Sequence, residues 1–182
     1  MIYYFTPYSL EKKLLTAIDE CMNLIESDDW ACIMDGDIMF LRSDFGRDIQ
    51  HYVNKFPDTG IFTCYASRCH YSCQVRKGTD MQNSDILYHK EQADKAHDEM
   101  YLQAKPINQR IAGHLMVIKK STWLQIRTKV FSTAAGKEIL GVDTKISKAV
   151  MSIKMPILLM RGIYVLHYLR LKEGFDSKIH LR

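Results

Sequence analysis

The sequence predicts an α/β domain in which helices flank a sheet, and three observations favour that class. An aromatic and β-branched run from Ile2 to Thr6 stops at Pro7, as a strand followed by a turn does. The apolar residues of the next segment recur at helical spacing, at Leu14, Ile18, Met22 and Ile25. An apolar run over 31–41 then indicates a second strand. A strand, a helix and a strand in this order form a parallel βαβ unit with a right-handed crossover.

Composition and charge limit the class of protein. A length of 182 residues favours one domain, and 47% hydrophobic with 25% charged residues is ordinary for a globular protein. The formal charge of +4 suits an anionic substrate but is too small and too scattered to indicate nucleic acid binding. Arg161 interrupts the apolar residues near the C-terminus, and the N-terminus lacks a secretory pattern. We therefore expect a cytoplasmic protein without a transmembrane segment.

The five cysteines are an odd number, which favours reduced thiols over a disulfide scaffold. A cluster of potential metal ligands consists of Cys64, Cys69, His70 and Cys73. Its spacing is not one of the usual zinc patterns. We expect ordinary thiols there.

Helices and strands continue to alternate along the chain. The expected elements are a first helix capped by Ser9, a helix from Ser43 that ends at 57–60, strands at 61–65 and 111–118, a short helix from Ser121, a helix with Asp143 as its N-cap, and apolar segments at 157–160 and 162–166. Residues 74–110 are polar and weakly patterned, with a helix expected at about 90–103. Such excursions are often lids, binding loops or mobile insertions without a role.

Two carboxylates, Asp35 and Asp37, lie inside the apolar run of the second strand. Burying carboxylates is costly unless a cation or a donor meets them, and Mg²⁺ or Mn²⁺ prefers such oxygen ligands. Gly36 between them lets the backbone turn and a ligand approach closely. A hairpin turn with two solvated aspartates is the alternative, because Asp-Gly is a common hairpin signal. Ligands bind outside the carboxyl ends of parallel strands, so the loop 6–9 and this pair are expected at one rim.

The order of these parts resembles the GT-A glycosyltransferases, most closely the small family-two-like bacterial and phage members. The segments that carry the resemblance are the opening strand with its Thr6-Pro7-Tyr8 loop, the Asp-x-Asp strand at 32–40, the strand and helix start at 112–123, the helix start at 141–149, and the late histidine His167. Together they cover most of the chain, except the middle excursion and the tail.

The resemblance implies a GT-A-like (Rossmann-like) mixed, mainly parallel sheet flanked by helices, in one compact domain of residues 1–182. It implies transfer of a sugar from a nucleotide-diphosphate donor, such as a UDP- or GDP-sugar, to a carbohydrate or other hydroxyl acceptor. Mn²⁺ or Mg²⁺ would be the cofactor. Residues 74–110 would then form a lid or an acceptor loop.

The resemblance also assigns roles to single residues. Asp37 would bind the metal directly, Asp35 would bind ribose or the metal through water, and His167 would be a further ligand. The assigned donor-binding residues are Thr6, Pro7 and Tyr8 against the base, Gly36 between the carboxylates, and Gly113 and His114 on the acceptor-side strand. Asp143 would be the base of an inverting transfer. Arg170 and Lys172 would neutralise phosphates.

Each of these roles has a structural alternative. His167 and His114 are equally explained as packed strand residues, and Asp143 as a helix cap. Basic residues such as Arg170 and Lys172 near a C-terminus are usually solvated. Retaining enzymes of the same fold also carry Asp-x-Asp and a late histidine, so the stereochemistry stays open.

The chain departs from the family pattern in two places. The segment before Asp35 has no room for the extra strand and helix with which larger members complete the nucleotide pocket, and Val142 replaces an acidic residue. These departures leave open a degenerate, non-catalytic nucleotide-sugar binding protein. A haloacid-dehalogenase-like phosphatase with Asp35 as nucleophile is a further alternative, because its first motif is also Asp-x-Asp. Against it, Met39 stands where a Thr or Val is expected.

Overall fold

A computed structural model describes residues 1–133 and 141–168 of the chain. The strands are β1 Ile2–Phe5, β2 Trp30–Met34, β3 Ile38–Phe40, β4 Ile61–Ala66, β5 Ala104–Pro106, β6 Leu115–Lys119 and β7 Ile157–His167. The helices are α1 Leu14–Asn23, α2 Phe45–Lys55, α3 Ile86–Met100, α4 Lys120–Ser132 and α5 Val142–Ser152, with a short 3₁₀ helix at Ser72–Gln74. The predicted α/β class is therefore confirmed.

The strands of the described residues form one mixed sheet in the order β1-β2-β6-β4-β7-β3, and β5 also pairs with β7. The predicted βαβ unit is confirmed, because β1 and β2 are parallel neighbours. The expectation of a mainly parallel sheet was wrong. Only the β1–β2 and β4–β7 pairs are parallel within this part of the chain, whereas the other four are antiparallel. A buried strand is apolar on both faces whichever way it runs, so its sequence does not reveal its direction.

Helices cover both faces of the sheet, and β2 shows how its residues divide between them. Ala31 and Ile33 pack in one apolar cluster with α1, α4 and α5. Trp30 and Cys32 pack in a second cluster with α2. Successive side chains of a strand point to opposite faces, and both faces of this strand are covered, which explains its continuous apolar run.

The predicted N-caps of two helices, Ser9 for α1 and Asp143 for α5, were wrong. Helix α1 begins at Leu14 and not at Ser9, whose Oγ accepts a hydrogen bond from Lys13 N at 3.0 Å in the preceding turn. Helix α5 begins at Val142, and its N-cap position is Gly141 with φ 76°. Glycine adopts this left-handed conformation without the usual steric cost. Asp143 therefore lies within the first turn and is not the N-cap.

Residues 74–110 contain one long helix and one strand of the folded domain. Helix α3 begins four residues before the expected start at 90 and ends at Met100. It packs against β7 and buries His89, Ala93 and Ala96, while β5 pairs with β7. A role of this segment as a lid or acceptor loop stays a prediction.

The last strand, β7, joins the two apolar segments expected at 157–160 and 162–166 into one strand of 11 residues. Its register with β4 shifts between Cys64 and Tyr65, where the partners change from Met160 to Tyr164. The irregularity accommodates Arg161, which interrupts the apolar pattern in the sequence. The strand continues to the rim of the sheet and ends there at His167.

Candidate metal site and adjoining cleft

The Asp35-Gly36-Asp37 segment connects β2 to β3. These two strands do not pair with each other, because β2 lies between β1 and β6, whereas β3 pairs with β7. The hairpin interpretation of Asp-Gly-Asp was therefore wrong. The segment runs along one rim of the sheet, and the register of β3 places Ile38 opposite His167.

Because this connecting segment runs from β2 to β3 beside the end of β7, both carboxylates lie close to His167. Its Nε2 lies 3.3 Å from Asp37 Oδ1 and 3.9 Å from Asp35 Oδ2. One ligand atom from each of the three residues lies within 4.8 Å of the others. The carboxylate side chains are about half exposed, at 49% and 48%, whereas His167 is only 6% exposed. A cation could therefore reach this group from solvent.

Backbone contacts at the end of β4 hold the His167 ring. The carbonyl oxygen of Arg68 lies 3.0 Å from His167 Nδ1. Because a carbonyl can only accept, Nδ1 carries the proton and Nε2 faces the carboxylates. The main-chain N–H of His167 donates to Ser67 Oγ at 2.9 Å. Sequence reasoning missed Ser67 and Arg68, although both follow a buried strand at the rim where ligands were expected.

The pKa shifts of the three residues indicate that a positive charge between them is favourable. Burial alone would lower the pKa of His167, but its hydrogen bond to Asp37 and the charge of that carboxylate outweigh burial and raise it. The same hydrogen bond lowers the pKa of Asp37. Burial raises the pKa of Asp35, and the Asp37 and Asp143 carboxylates add to this. A proton on Nε2 or a metal ion would satisfy the group. Two carboxylate oxygens and one imidazole nitrogen fit Mn²⁺ or Mg²⁺.

A cleft of about 300 Å³ adjoins Asp35. Its lining residues are Pro7, Leu14, Ile18, Ile33, Met34, Asp35, Gly113, Met116, Gly141, Val142 and Asp143. The expected shared rim is present, since Thr6 Cγ2 lies 3.4 Å from the position that a Cβ on Gly36 would occupy. Tyr8 is 78% exposed and is not part of the lining. The cleft thus joins one carboxylate of the metal group to Asp143.

Asp143 is fixed by backbone donors at the cleft. Its Oδ1 accepts from the Thr144 N–H at 2.6 Å. Burial raises its pKa, whereas hydrogen bonds from the Thr144 and Gly113 backbones oppose the shift. A Cβ added to Gly113 would lie 3.1 Å from Asp143 Cβ, so glycine permits this close approach. Gly113, predicted as a donor-binding residue, thereby also positions Asp143.

His114 lies behind the site rather than in the cleft. It is 1% exposed, and its Nε2 donates to the Cys64 carbonyl oxygen at 3.2 Å. Burial lowers its pKa to about 3, so the ring is neutral. Its centroid lies 5.6 Å from that of His167, and contact with a bound sugar would require the ring to move. Arg170 and Lys172 lie outside the described residues.

A second group of potential metal ligands in the described part of the chain is Asp44, Asp48 and His97. Asp44 Oδ2 already pairs with Arg42 at 3.0 Å and with Arg47 at 3.1 Å. Two guanidinium groups therefore supply the positive charge that a metal would bring. The metal predicted for the group at Asp37 stays a prediction, and the second group serves as its control below.

Comparisons with family models, with curated proteins and with solved structures found no significant match to this chain. The class of protein that can be stated is therefore an α/β domain with a mixed sheet flanked by helices. Within residues 1–133 and 141–168, none of the helices has the length and apolar character needed to cross a membrane.

Proposed function

We propose that the protein is a metal-dependent glycosyltransferase that moves a sugar from a nucleotide-diphosphate donor to a hydroxyl acceptor. One observation carries the proposal. Asp35 and Asp37, which follow β2, meet the distant His167 from the end of β7 at one rim of the sheet, beside a cleft whose lining includes a further, partly buried carboxylate, Asp143. A cation site next to a base is the combination that sugar transfer from a diphosphate requires.

In the proposed reaction the acceptor oxygen forms a bond to the anomeric carbon of the sugar. The bond from that carbon to the diphosphate breaks, and the nucleoside diphosphate leaves with the electron pair. A divalent cation supplies stabilisation of the negative charge that builds on the leaving phosphates. Asp35, Asp37 and His167 would hold it, and the Arg68 carbonyl and Ser67 orient His167 for this task.

Asp143 takes the proton of the acceptor hydroxyl in this proposal. Burial raises its pKa, which makes it a stronger base than an exposed aspartate. The Thr144 and Gly113 backbone groups keep the carboxylate at the cleft. This assignment implies inversion at the anomeric carbon, because the acceptor oxygen, activated by Asp143, attacks from the side opposite to the leaving diphosphate in a single displacement.

A nucleotide-sugar binding protein without transfer activity is the second candidate, and one observation favours it. Strand β1 is an edge of the described sheet, with no strand beyond it. On that side of the cleft the described lining consists of Pro7 and of Leu14 and Ile18 of α1, without a further strand to complete a nucleotide pocket. Turnover of donor separates the two candidates.

The test is a thermal-shift series with Mn²⁺ and UDP, GDP or CMP, followed by donor hydrolysis and transfer assays. We expect Tm to rise with Mn²⁺ and one nucleoside diphosphate, because a ligand that binds only the folded state stabilises it. Asp37→Ala should abolish the rise. His97→Ala, which removes a ligand atom from the second group, is the matched control and should keep it.

Three outcomes contradict or narrow the proposal. A chain that responds to no nucleotide with Mn²⁺ or Mg²⁺ has no donor site of this kind. A nucleotide response without any hydrolysis or transfer identifies the binding protein instead. Hydrolysis of an aryl phosphate that is lost in Asp35→Ala would overturn both in favour of the phosphatase.

A further inference from the structure

A basic groove lies beside the cleft, between α4 and the start of α5. Its volume is about 470 Å³, and its lining residues are Arg110, Lys129, Thr133, Gly141, Thr144, Lys145, Lys148 and Ala149. The lining contains four cationic side chains and no carboxylate among the described residues. A groove lined by one sign of charge concentrates the field and attracts ions of the opposite sign.

Within the described residues, two cations near these helices are neutralised by carboxylates, whereas three of the four cations that line the groove are not. Arg127, on the same helix as Lys129, binds both oxygens of Asp19 at 2.7 Å. Lys119, just before that helix, lies 3.4 Å from Asp28. By contrast, Arg110, Lys129 and Lys148 form no ion pair with a carboxylate of the described residues.

The groove is continuous with the proposed reaction site. Gly141 lines both the cleft and the groove. Thr144 of the groove follows Asp143 of the cleft and donates its N–H to it. Arg110 is close enough for its charge to act on the Asp143 carboxylate. A molecule that rests in the groove can therefore extend a hydroxyl towards Asp143.

We propose that this groove binds a phosphate group of the acceptor. The proposal rests on the proposed function and specifies the class of its second substrate as an alcohol that carries a phosphate near the hydroxyl to be glycosylated. Arg110 offers the planar donors that pair with two phosphate oxygens, and the lysines act as point charges. With a divalent cation bound, Asp35, Asp37 and His167 would hold the donor diphosphate at the other end of the cleft, so the two phosphate-bearing substrates would bind apart.

The experiment measures binding of glycerol 3-phosphate and glucose 1-phosphate to the full chain by calorimetry, with glycerol and glucose as uncharged references. The groove variant is Lys129→Glu/Lys148→Glu, and the matched control is Lys55→Glu/Lys154→Glu, whose two lysines lie outside the groove and outside residues 74–110. All four lysines are exposed, and none of them has an ion pair with a carboxylate of the described residues. Both double variants change the net charge equally.

We expect the phosphates to bind and the uncharged references not to bind. The groove variant should weaken phosphate binding at least 10-fold, whereas the control should keep it within 2-fold. Both variants should retain the Tm rise with Mn²⁺ and nucleotide. Vesicles that contain phosphatidic acid form a further arm. Tighter binding to vesicles than to the soluble phosphates would identify a lipid-linked acceptor, and the reverse would identify a soluble sugar or polyol phosphate.

Other results would overturn the proposal. Equal weakening in the two double variants would mean that only the net charge matters. An absence of phosphate binding would show that the groove is not a phosphate site of the acceptor. Tighter binding of a single-stranded oligonucleotide, lost in the groove variant, would make the groove a nucleic acid site instead. Asp37→Ala separates the two proposals, because it should abolish the nucleotide response and leave phosphate binding intact.

Discussion

The backbone carbonyl oxygen of Arg68 accepts a hydrogen bond from Nδ1 of His167 at 3.0 Å. Arg68 follows β4, and His167 ends the parallel neighbour β7. The bond fixes the ring tautomer, so that Nε2 faces Asp37 Oδ1 at 3.3 Å. Metal-binding histidines usually use their second nitrogen in this way. The backbone after β4 therefore orients the potential ligand atom Nε2 at the end of β7.

The first prediction concerns the other backbone contact of His167, the hydrogen bond from its main-chain N–H to Ser67 Oγ. Ser67→Ala removes the hydroxyl that accepts from the His167 main-chain N–H, and we expect Mn²⁺ affinity to fall by about 10-fold, as for other second-sphere changes. His167→Ala removes the ligand itself and should weaken binding more. Calorimetric titration with Mn²⁺ measures both. His97→Ala should bind Mn²⁺ as the wild type does. A loss of Mn²⁺ binding in that variant alone would show that the metal site is the second group.

The second prediction concerns the base. Asp143→Asn keeps the size of the side chain but removes its proton acceptor, so sugar transfer should fall by about 100-fold or more while nucleotide binding persists. Because burial raises the pKa of Asp143 and the ionised form is the base, the activity should rise with pH through that raised pKa. This rise should begin at higher pH than for an exposed aspartate. If Asp143→Asn transfers sugar at the wild-type rate, Asp143 is not the base.

The third prediction concerns an ion pair that joins α1 to α4. Asp19 accepts hydrogen bonds from Arg127 Nε and Nη2, both at 2.7 Å, and from Trp123 Nε1 at 2.9 Å. Asp19→Asn should lower the free energy of unfolding by about 2 kcal/mol at pH 7, the usual range for a hydrogen bond to a charged group. Urea denaturation measures it. The exposed Asp28→Asn is the control and should change stability by less than about 0.5 kcal/mol.

The ion pair between Asp19 and Arg127 should make the free energy of unfolding depend on pH. The hydrogen bond from Arg127 lowers the pKa of folded Asp19 below its ordinary value of 3.8. The stabilisation is therefore complete above that ordinary value and is lost as the pH falls through the lowered folded pKa. The stability difference between wild type and Asp19→Asn should shrink in that acid range. A difference that stays constant down to pH 2 would contradict the ion-pair explanation.

The fourth prediction concerns the irregular part of β7. A Cβ on Gly162 would lie 2.9 Å from Tyr101 Cα and 3.0 Å from Tyr52 Oη. Gly162→Ala should therefore destabilise the fold by about 1–3 kcal/mol through overpacking. Gly46→Ala in α2 is the matched control, since its new Cβ meets only Tyr4 Oη at 3.4 Å. That helical substitution should stabilise the protein by about 0.5–1 kcal/mol. Thermal unfolding compares the two variants.

Sequence reasoning predicted the elements better than their arrangement. The apolar run at 61–65 marks β4 and the helical periodicity marks α1, because local patterns report burial. The run at 31–41, predicted as one strand, is divided into β2 and β3, which do not pair with each other. The antiparallel direction of β6 was not predictable from its apolar residues. The start of α5 was also misassigned, because Asp143 suits an N-cap as well as a first turn, and Gly141 took the cap position through its backbone conformation.

For the site, the sequence determined which residue types were available: two carboxylates around Gly36, a late histidine and Asp143. Their costly placement in apolar surroundings was visible without a structure, because desolvation depends on local composition. Only the tertiary structure decided that Asp37 and His167 meet, since that contact depends on the pairing of β3 with β7. It also decided that Ser67 and Arg68 support the ring and that four cations from three segments share one groove. Contacts between residues far apart in the sequence depend on strand order and direction, which no local pattern in this chain encodes.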